Sequence, residues 1–302
     1  MDYITHSQCP VCAHENLTPH LECEDHLVSH QKFRVEVCRN CGLGMTQGVP
    51  PPNNIGAFYK SENYISHSDT RKGLVNSLYH QIRTFMLGLK QRLVEKHTGG
   101  QKGSLLDIGC GTGYFLHHMK KHGWTVHGTE PDPDARAMAS SQLDQEIGDS
   151  NGLFDLPAQS YDAITMWHVL EHVYELDQYL QQISILLKQE GTLVIAVPNY
   201  LSYDAQLYQE HWAAFDVPRH LWHFSPASLV RLVEPYGFEL VTRQRMPFDP
   251  FYIAMVSEKY RQKGWALARG LINGGLSFCH SLVNLEKSSS LIYVFHKRSQ
   301  EP

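Results

Sequence analysis

The chain has 302 residues, of which 42% are hydrophobic and 19% charged, with a net charge of −5 at pH 7. This composition can bury enough apolar surface for one large domain or two smaller ones, which excludes a chain that is disordered throughout. The slight excess of acidic residues provides no broad attraction to nucleic acid, so we expect no nucleic-acid partner.

Residues 1–7 lack the basic segment and the following apolar run of a signal peptide. The sequence also lacks a run of 18 or more consecutive apolar residues, the length that a membrane-spanning helix needs. We therefore expect a cytoplasmic protein without stable membrane insertion.

Two Cys-x-x-Cys pairs lie near the N-terminus, at Cys9 and Cys12 and at Cys38 and Cys41. Two residues between thiolates let one tight turn present both sulfurs to the same ion, and two such turns complete a closed tetrahedron. The spacing predicts structural zinc in a zinc ribbon over residues 1–48. Free thiols or a redox pair are the alternatives, although a redox role would account for only one pair.

A linker and an N-terminal helix are predicted for residues 49–103. Three prolines at 50–52 separate this segment from the cysteine-rich part. Apolar residues then recur every three or four positions from 58 to about 96, which indicates one long amphipathic helix.

From residue 104 onward, short apolar runs alternate with helical patterns, as in a parallel sheet covered by helices. We predict strands at 104–109, 124–130, 145–148, 161–167 and 191–198, and helices at 113–122, 132–143, 175–188 and 226–236. Glycines are expected at the left-handed residues that end helices, namely Gly123, Gly191 and Gly237. Two more strands, at 238–246 and 291–297, are predicted to form a terminal antiparallel hairpin.

A glycine-rich loop follows the first of these strands and leads into a helix. Its alternate glycines are Gly109, Gly111 and Gly113. Glycine allows a sharp turn and a close approach to a ligand, while the free amides of the helix favour an anionic group. A dinucleotide site would need a third small residue at position 114, which is Tyr. Glu130, at the end of the next strand, is placed to accept hydrogen bonds from both hydroxyls of a ribose.

Residues 104–247 resemble the class I S-adenosylmethionine-dependent methyltransferases. The resemblance rests on Leu-Leu-Asp-Ile-Gly-Cys-Gly-Thr-Gly at 105–113, on Glu130 and on the stretch 161–173. The whole chain is similar to a subgroup with a zinc ribbon before the core. This implies an α/β fold, a doubly wound Rossmann-like methyltransferase sheet built from residues 104–247 and 289–298.

The resemblance also implies S-adenosylmethionine as cofactor. It assigns the glycines to the methionine part, Glu130 to the ribose, Asp149 to the adenine amine and Trp167 to the edge of the cofactor. Asn151 and Asp155 are alternatives to Asp149. The implied cofactor-binding set is Asp107, Gly109, Gly111, Gly113, Glu130, Asp149 and Trp167.

His168, Glu171 and His172 follow the predicted strand at 161–167. The ubiquinone-pathway O-methyltransferases are similar in placing Glu-x-x-Glu-His at this point to hold a divalent ion. This chain has His168 in place of the first Glu, so the alternative is that Glu171 and His172 only position the loop beside the cofactor.

His220 and His223 follow the predicted strand at 191–198, near the sheet edge where folds of this type bind ligands. Imidazole titrates near neutrality, so either can take the proton that an acceptor loses during methylation, with His168 as a further candidate. Arg219 is a candidate for holding an acidic acceptor. The alternatives are a packed strand edge at His223 and a structural ion pair between Asp216 and Arg219.

Residues 248–288 read as a helical insertion between the last two strands, for which a cap over the acceptor, a homodimer contact and a membrane contact are the candidate roles. The predicted function is methyl transfer from S-adenosylmethionine to oxygen or carbon of a small-molecule acceptor, such as a sugar or a carrier-linked metabolite. The alternatives are a zinc-ribbon binding protein with a degenerate methyltransferase fold and a nucleic-acid methyltransferase.

Overall fold

The computed structural model describes residues 3–59, 74–262 and 264–298. The strands are β1 (Leu17–Glu24), β2 (Lys32–Cys38), β3 (Gly44–Gln47), β4 (Ser104–Ile108), β5 (Thr125–Thr129), β6 (Tyr161–Trp167), β7 (Leu187–Pro198), β8 (Trp222–His223), β9 (Phe238–Arg245) and β10 (Ser290–Lys297). The helices are α1 (Pro52–Ile55), α2 (Leu74–His97), α3 (Tyr114–Lys121), α4 (Pro133–Leu143), α5 (Leu176–Leu186), α6 (Tyr203–Tyr208), α7 (Pro226–Val233), α8 (Asp249–Tyr260) and α9 (Ala266–Val283).

The larger sheet has six strands in the order β5-β4-β6-β7-β10-β9. Strands β5, β4, β6 and β7 run parallel, whereas β10 pairs antiparallel with both β7 and β9. Successive side chains of a strand point to opposite faces, so Leu105 packs in one hydrophobic core and Leu106 in the other. The first core contains residues of α2, α3 and α4, and the second contains residues of α5 and α7. The α/β sheet with a terminal antiparallel hairpin is therefore confirmed.

Three local predictions need correction. The strand predicted at 145–148 is reduced to one bridge between Gly148 and Thr129, because the side chain of Gln145 takes the backbone carbonyl of Val126 at 2.8 Å. Gly191 lies inside β7, and the left-handed residue there is Glu190, with a φ of 60°. The long predicted helix is α2 preceded by a short 3-10 turn at Gly56–Tyr59, and the intervening residues 60–73 lie outside the described part of the chain.

The N-terminal segment forms a four-stranded antiparallel sheet in the order β1-β2-β3-β8. The edge strand β8 comes from the loop after β7 and pairs through Met45 with Trp222 and through Gly44 with His223. A methyl group on Gly44 would lie 2.9 Å from the Cβ of His223, so only glycine permits this close approach. The N-terminal segment and the loop after β7 thus contribute strands to the same sheet.

Residues 248–288 form the helical pair α8 and α9 followed by a 3-10 turn at Leu285–Lys287. Gly270 and Gly274 of α9 contact the backbone of α8, because a Cβ at either position would lie within 2.7 Å of an α8 Cα atom. Among the helices of the described residues, none combines the length and the hydropathy needed to cross a bilayer.

Candidate functional site

The glycine loop lies at the carboxyl end of β4, and all three of its alternate glycines adopt positive φ angles. Gly109 and Gly113 are required by packing, since a Cβ would lie 2.5 Å from Val169 and 3.0 Å from Ala139 respectively. Gly111 differs, because a Cβ there would meet no atom within 4 Å among the described residues. The backbone at Gly111 therefore faces open space that a ligand can occupy.

Glu130 is buried beside this loop, where its Oε2 accepts a hydrogen bond from the amide of Gly111 at 2.8 Å. Its Oε1 accepts from the amide of Asp132 at 3.0 Å. The carboxylate is thereby held next to the open space above Gly111. A carboxylate oxygen can accept more than one hydrogen bond, which suits Glu130 to binding ribose hydroxyls.

Asp149 follows Gly148, whose carbonyl oxygen accepts the hydrogen bond of the Glu130 amide at 2.9 Å. The Oδ1 of Asp149 accepts from the amides of Asn151 and Gly152, each at 3.0 Å. These bonds start the 3-10 turn Asn151–Asp155, which contains both residues that compete with Asp149 for the adenine role. Asp149 thus lies next in sequence to the residue that pairs with Glu130.

Trp167 ends β6, and its ring packs edge-on against Phe115 with 5.5 Å between centroids. The Nζ of Lys90, on α2, lies 4.1 Å from the Trp167 ring centroid. Burial lowers the pKa of Lys90 to about 8, although the charges of Asp107 and Asp249 act to raise it. Burial likewise raises the pKa of Asp107 to about 7, against a 2.5 Å hydrogen bond from Thr165.

His168 bridges two carboxylates at the end of β6. Its Nδ1 lies 3.4 Å from Glu171 Oε1, and its Nε2 lies 3.2 Å from Asp249 Oδ2. Burial acts to lower the pKa of His168, but the hydrogen bonds and charges of Asp249 and Glu171 outweigh it and raise the pKa to about 10. The ring is therefore an imidazolium at neutral pH, which suits it to positioning Asp249 and α8 rather than to accepting a proton.

Glu171, His172 and His220 form the second cluster, with their nearest ligand atoms all within 4.8 Å of one another. The Nδ1 of His220 donates to the Ala214 carbonyl at 2.9 Å, and the Nδ1 of His172 lies 3.0 Å from both the Arg219 carbonyl and the Tyr59 hydroxyl. When Nδ1 donates to a carbonyl, the Nε2 of the neutral ring carries the lone pair, and the Nε2 of His220 lies 3.9 Å from Asp216 Oδ2. The fully buried carboxylate of Glu171 is paired with His168, whose Nδ1 lies 3.4 Å from Oε1, and it lies within 4.8 Å of both of these imidazoles.

His223 is placed differently from His220. Its Nε2 lies 2.9 Å from Thr46 Oγ1, and its ring packs against Phe215, between the two sheets. Burial lowers the pKa of His223 well below its usual range. The side chain thus packs at a strand edge, which was the alternative interpretation for this residue.

Arg219 is fully buried in an ion-pair network rather than facing a ligand. Its Nη2 lies 2.9 Å from Asp25 and 2.8 Å from Asp216, and its Nη1 donates to the Phe58 carbonyl at 2.8 Å. The structural ion pair was the alternative interpretation, and the prediction that Arg219 holds an acidic acceptor is wrong because its donors are already used.

The four predicted zinc ligands converge at the N-terminal sheet. The Sγ atoms of Cys9 and Cys41 are 3.4 Å apart, those of Cys12 and Cys38 are 3.6 Å apart, and all four lie within 4.8 Å of one another. A tetrahedron with Zn–S bonds of about 2.3 Å has edges of about 3.8 Å. The arrangement fits one zinc ion. Cys23 is buried elsewhere, as expected for a small apolar side chain.

A cavity of about 210 Å³ lies between α2 and the ends of β9 and β10. Its floor is apolar, and its cationic lining comprises Lys90, Arg92, Lys96 and Arg245. The Nε of Arg245 is buried without a hydrogen-bond partner among the described residues. Lys90 lines this cavity and also covers Trp167, so the cavity adjoins the predicted edge of the cofactor.

Sequence reasoning missed two residues of this site and one contact. Lys90 reads as one polar position of an amphipathic helix, and Asp249 reads as the first residue of a helix before a proline. His220 was found as a base, but its contact with Glu171 and His172 joins positions about 50 residues apart. Motif spacing carries no signal for that contact.

Comparison with known proteins bears on the same part of the chain. A family model described as a methyltransferase domain matches residues 78–243. The human mitochondrial ubiquinone biosynthesis O-methyltransferase is 27% identical over 163 residues, which are 49% of this chain and 44% of that protein. The Azorhizobium caulinodans ubiquinone biosynthesis O-methyltransferase is 25% identical over 192 residues, 57% of this chain and 76% of that protein. The chain thus spans less than half the length of the human relative.

Among solved structures, a candidate sarcosine dimethylglycine methyltransferase from Galdieria sulphuraria is similar, with a TM-score of 0.50 and 14% identity. The similarity covers 72% of this chain and 86% of that chain, and at this identity it speaks only for the fold. The family model covers more than half of the chain and includes the glycine loop, Glu130 and Trp167. The chain therefore belongs to the methyltransferase domain family, with the fold of the class I S-adenosylmethionine-dependent methyltransferases.

Proposed function

We propose that this protein transfers a methyl group from S-adenosylmethionine to a small-molecule acceptor, such as a sugar or a carrier-linked metabolite. The observation that carries the proposal is the open space above Gly111, next to the buried carboxylate of Glu130. When bound, S-adenosylmethionine supplies a methyl group already activated by its sulfonium. The protein then needs to align the acceptor, exclude water and accept one proton.

Different residues are proposed to bind different parts of S-adenosylmethionine. In this proposal Gly111 offers close backbone approach, Glu130 offers two carboxylate oxygens to the ribose, and Asp149 is assigned to the adenine amine. Trp167, whose ring is covered by Lys90, is assigned to the edge of the cofactor, where it would help to remove water from the reacting atoms.

We assign to His220 the role of accepting the proton of an acceptor hydroxyl. Its Nδ1 donates to the Ala214 carbonyl, so its Nε2, 3.9 Å from Asp216 Oδ2, is the atom that would take the proton as the new bond to carbon forms. His168 is held as an imidazolium, and His223 is bonded to Thr46. The O-methyltransferase names of two relatives likewise favour oxygen as the acceptor atom.

A divalent cation held by Glu171, His172 and His220 is a second use of the same cluster. The fully buried carboxylate of Glu171 favours it because it lies within 4.8 Å of both imidazoles, and so do the two rings themselves, whose other nitrogens lie beside backbone carbonyls. That second-shell pattern is typical of metal-binding histidines. When bound, such an ion would lower the pKa of an acceptor hydroxyl, and Glu171 would be its charged ligand.

The cationic cavity supports an acceptor that carries a carboxylate or phosphate. Arg245 has a buried, unpartnered Nε, and Arg92 and Lys96 add two further donors. Arginine pairs well with both anionic groups because its planar donors match two oxygens. A carrier-linked metabolite with a phosphate would place its charge here and its reacting end toward Trp167.

We also infer one structural zinc on Cys9, Cys12, Cys38 and Cys41. The close approach of the four sulfurs supports it. Titration of the full chain with S-adenosylmethionine and S-adenosylhomocysteine by calorimetry tests the proposed activity at its first step. Binding of both at one site per chain is expected, whereas a degenerate fold that serves only as a binding module would take up neither.

A further inference from the structure

Helix α9 is amphipathic, but unlike an ordinary surface helix it exposes its apolar face and buries its polar face. The face toward the protein is small and polar, with Gly270, Gly274, Ser277 and Ser281 buried. The face toward solvent is large and apolar. The exposed side chains include Trp265 just before the helix at 86%, Ile272 at 64% and Val283 at 91%, together with Leu267, Leu271, Leu276 and Leu282.

This orientation is fixed by polar contacts on the inner face. Arg269 lies 3.0 Å from the fully buried Glu258, and the Asn273 amide donates to the same carboxylate at 2.9 Å. Ser277 donates to the fully buried Asp204 at 3.0 Å. Turning the apolar face inward would remove the cation and the amide donor from the buried Glu258 and one of several donors from the buried Asp204, which is unfavourable for buried carboxylates. The outward apolar face is therefore a built feature of the fold.

One heptad series runs along this exposed face and includes the half-buried Gly275, whereas the exposed Leu267, Leu271, Leu276 and Val283 lie outside the series. Residues 265, 268, 272, 275, 279 and 282 alternate by three and four, as at the a and d positions of a coiled coil. The series is symmetric about the point between residues 273 and 274. In an antiparallel pair of two such helices, Trp265 faces Leu282, Ala268 faces Cys279 and Ile272 faces Gly275.

This pairing is self-complementary, as a twofold axis requires, because each Trp265 meets a Leu282 at the ends and each Ile272 meets a Gly275 near the middle. At roughly 150–250 Å² for each fully exposed large side chain, the exposed fractions add to something on the order of 800 Å². Each partner of a standard interface contributes about 800 Å². A single exposed apolar patch of that size exceeds the largest patch of most monomers, about 300–600 Å².

The charge pattern favours a second copy over a lipid surface. A helix that lies on a membrane ordinarily carries Lys and Arg on its solvent-facing polar side. In α9 the polar side is buried, its cation Arg269 is paired with Glu258, and the chain has a net charge of −5. We propose that α9 forms the interface of a homodimer, in which it packs antiparallel against the α9 of a second copy of this chain.

Sedimentation velocity of the full chain, with its metal content unchanged, tests the dimer. The wild type is expected to sediment at twice its chain mass of 34.5 kDa at micromolar concentration. The variant Ile272→Glu/Leu276→Glu should sediment as a monomer. Ile185→Glu is the matched control, because Ile185 is an exposed helical isoleucine at 46% on α5 and its variant should remain a dimer.

A monomeric wild type, or a double variant that stays dimeric, would overturn the proposal. Flotation with vesicles of phosphatidylcholine and phosphatidylglycerol accompanies the measurement. A monomer that floats with these vesicles would assign the face to a membrane instead. Far-UV circular dichroism of the double variant must match that of the wild type, which shows that the variant is folded. Cross-linking through cysteine provides a second test that introduces no charge into the apolar face.

Oxidative cross-linking tests the register. Cys279 is exposed, whereas the other six cysteines, all among the described residues, are buried or half-buried. In the antiparallel pair the two Cys279 residues are about 16 Å apart along the helices, so the wild type should not cross-link. Ala268→Cys should give a disulfide-linked dimer through Cys279, and Ala268→Cys/Cys279→Ser should not. A disulfide dimer of the wild type, or its absence in Ala268→Cys, would overturn the antiparallel pairing.

Discussion

Arg219 and Asp25 form a buried ion pair, with 2.9 Å between Nη2 and Oδ1, that ties the loop carrying His220 to the turn between β1 and β2. Asp25 also accepts hydrogen bonds from the amide and hydroxyl of Ser29, each at 2.7 Å, so it is itself held rigidly. The buried side chain of Arg219 thereby fixes the backbone immediately before His220, the proposed base. The N-terminal sheet and the loop that carries His220 are coupled through this contact.

Arg219→Met should destabilise the protein by about 3–5 kcal/mol, because it leaves the buried carboxylate of Asp25 without its charged partner. The urea midpoint of unfolding measures the loss. Arg243→Met is the matched control, since Arg243 pairs with the exposed Glu286 at 3.1 Å and should cost about 0–1 kcal/mol. Equal midpoints for the two variants would contradict the anchoring role of Arg219.

Zinc removal should disturb the active-site loop as well as the N-terminal sheet. Elemental analysis is expected to find one zinc per chain. After removal by a chelator, amide hydrogen exchange should accelerate in residues 3–48 and also in residues 218–224, because β8 loses its partner β3. The glycine loop serves as the internal control and should keep its protection. Unchanged amide exchange in residues 218–224 would show that this loop keeps its structure without the bound zinc.

Gly111→Val should abolish or strongly weaken S-adenosylmethionine binding, because the side chain fills the open space above the loop. Gly99→Val is the matched control. Gly99 also has a positive φ, of 66°, and also faces open space, so both variants carry the same backbone strain. Calorimetric affinities compare them. Equal affinities for the two variants would place the cofactor elsewhere.

His220→Ala should lower turnover by about 10²–10⁴ while leaving cofactor affinity nearly unchanged, the range expected for loss of a positioned proton acceptor. His211→Ala is the control from the same loop, because His211 is partly exposed and lies outside the cluster with Glu171. If His223→Ala carries the loss instead, the base is His223. A loss below tenfold in both would show that this loop does not take the proton.

Glu171→Gln should weaken binding of a divalent ion by about tenfold or more, since it removes the charged ligand and keeps the shape. Mn²⁺ added to the zinc-loaded full chain provides the probe, and electron paramagnetic resonance measures its affinity. Glu210→Gln is the control, because Glu210 is exposed. If the wild-type protein does not bind Mn²⁺, the proposed metal site at Glu171, His172 and His220 is wrong, and these residues would serve only in acid–base chemistry.

The elements of the core followed from local patterns in the sequence. Leu105 and Leu106 sit in a short apolar run before a glycine loop, and both the strand and the turn were predicted within one or two residues. The strand at 145–148 was overestimated because its pairing depends on one side chain, Gln145, which takes a carbonyl that a longer strand would use. Such competition between side chain and backbone is invisible in an apolar pattern.

The site was predictable only where its residues are neighbours in sequence. Gly111 and Glu130 belong to consecutive strand ends, and their contact follows from the order of a parallel sheet. The contacts of His220 with Glu171, of His168 with Asp249 and of Arg219 with Asp25 join distant segments. Each depends on how loops pack over the sheet, and the histidine-rich composition alone does not select one pairing over another.

The pairing of β3 with β8 also constrains the order in which the protein can be made. A chain grows from its N-terminus, so residues 3–48 emerge from the ribosome long before Trp222 and His223 exist. Until then the edge of β3 offers unpaired amides and carbonyls to any other strand. The cysteine-rich segment can bind its metal early, but its sheet is completed only after nearly 180 further residues have been synthesised. The sheet can therefore be completed only after β8 has left the ribosome, and the proposed active-site loop takes its final position in that same step.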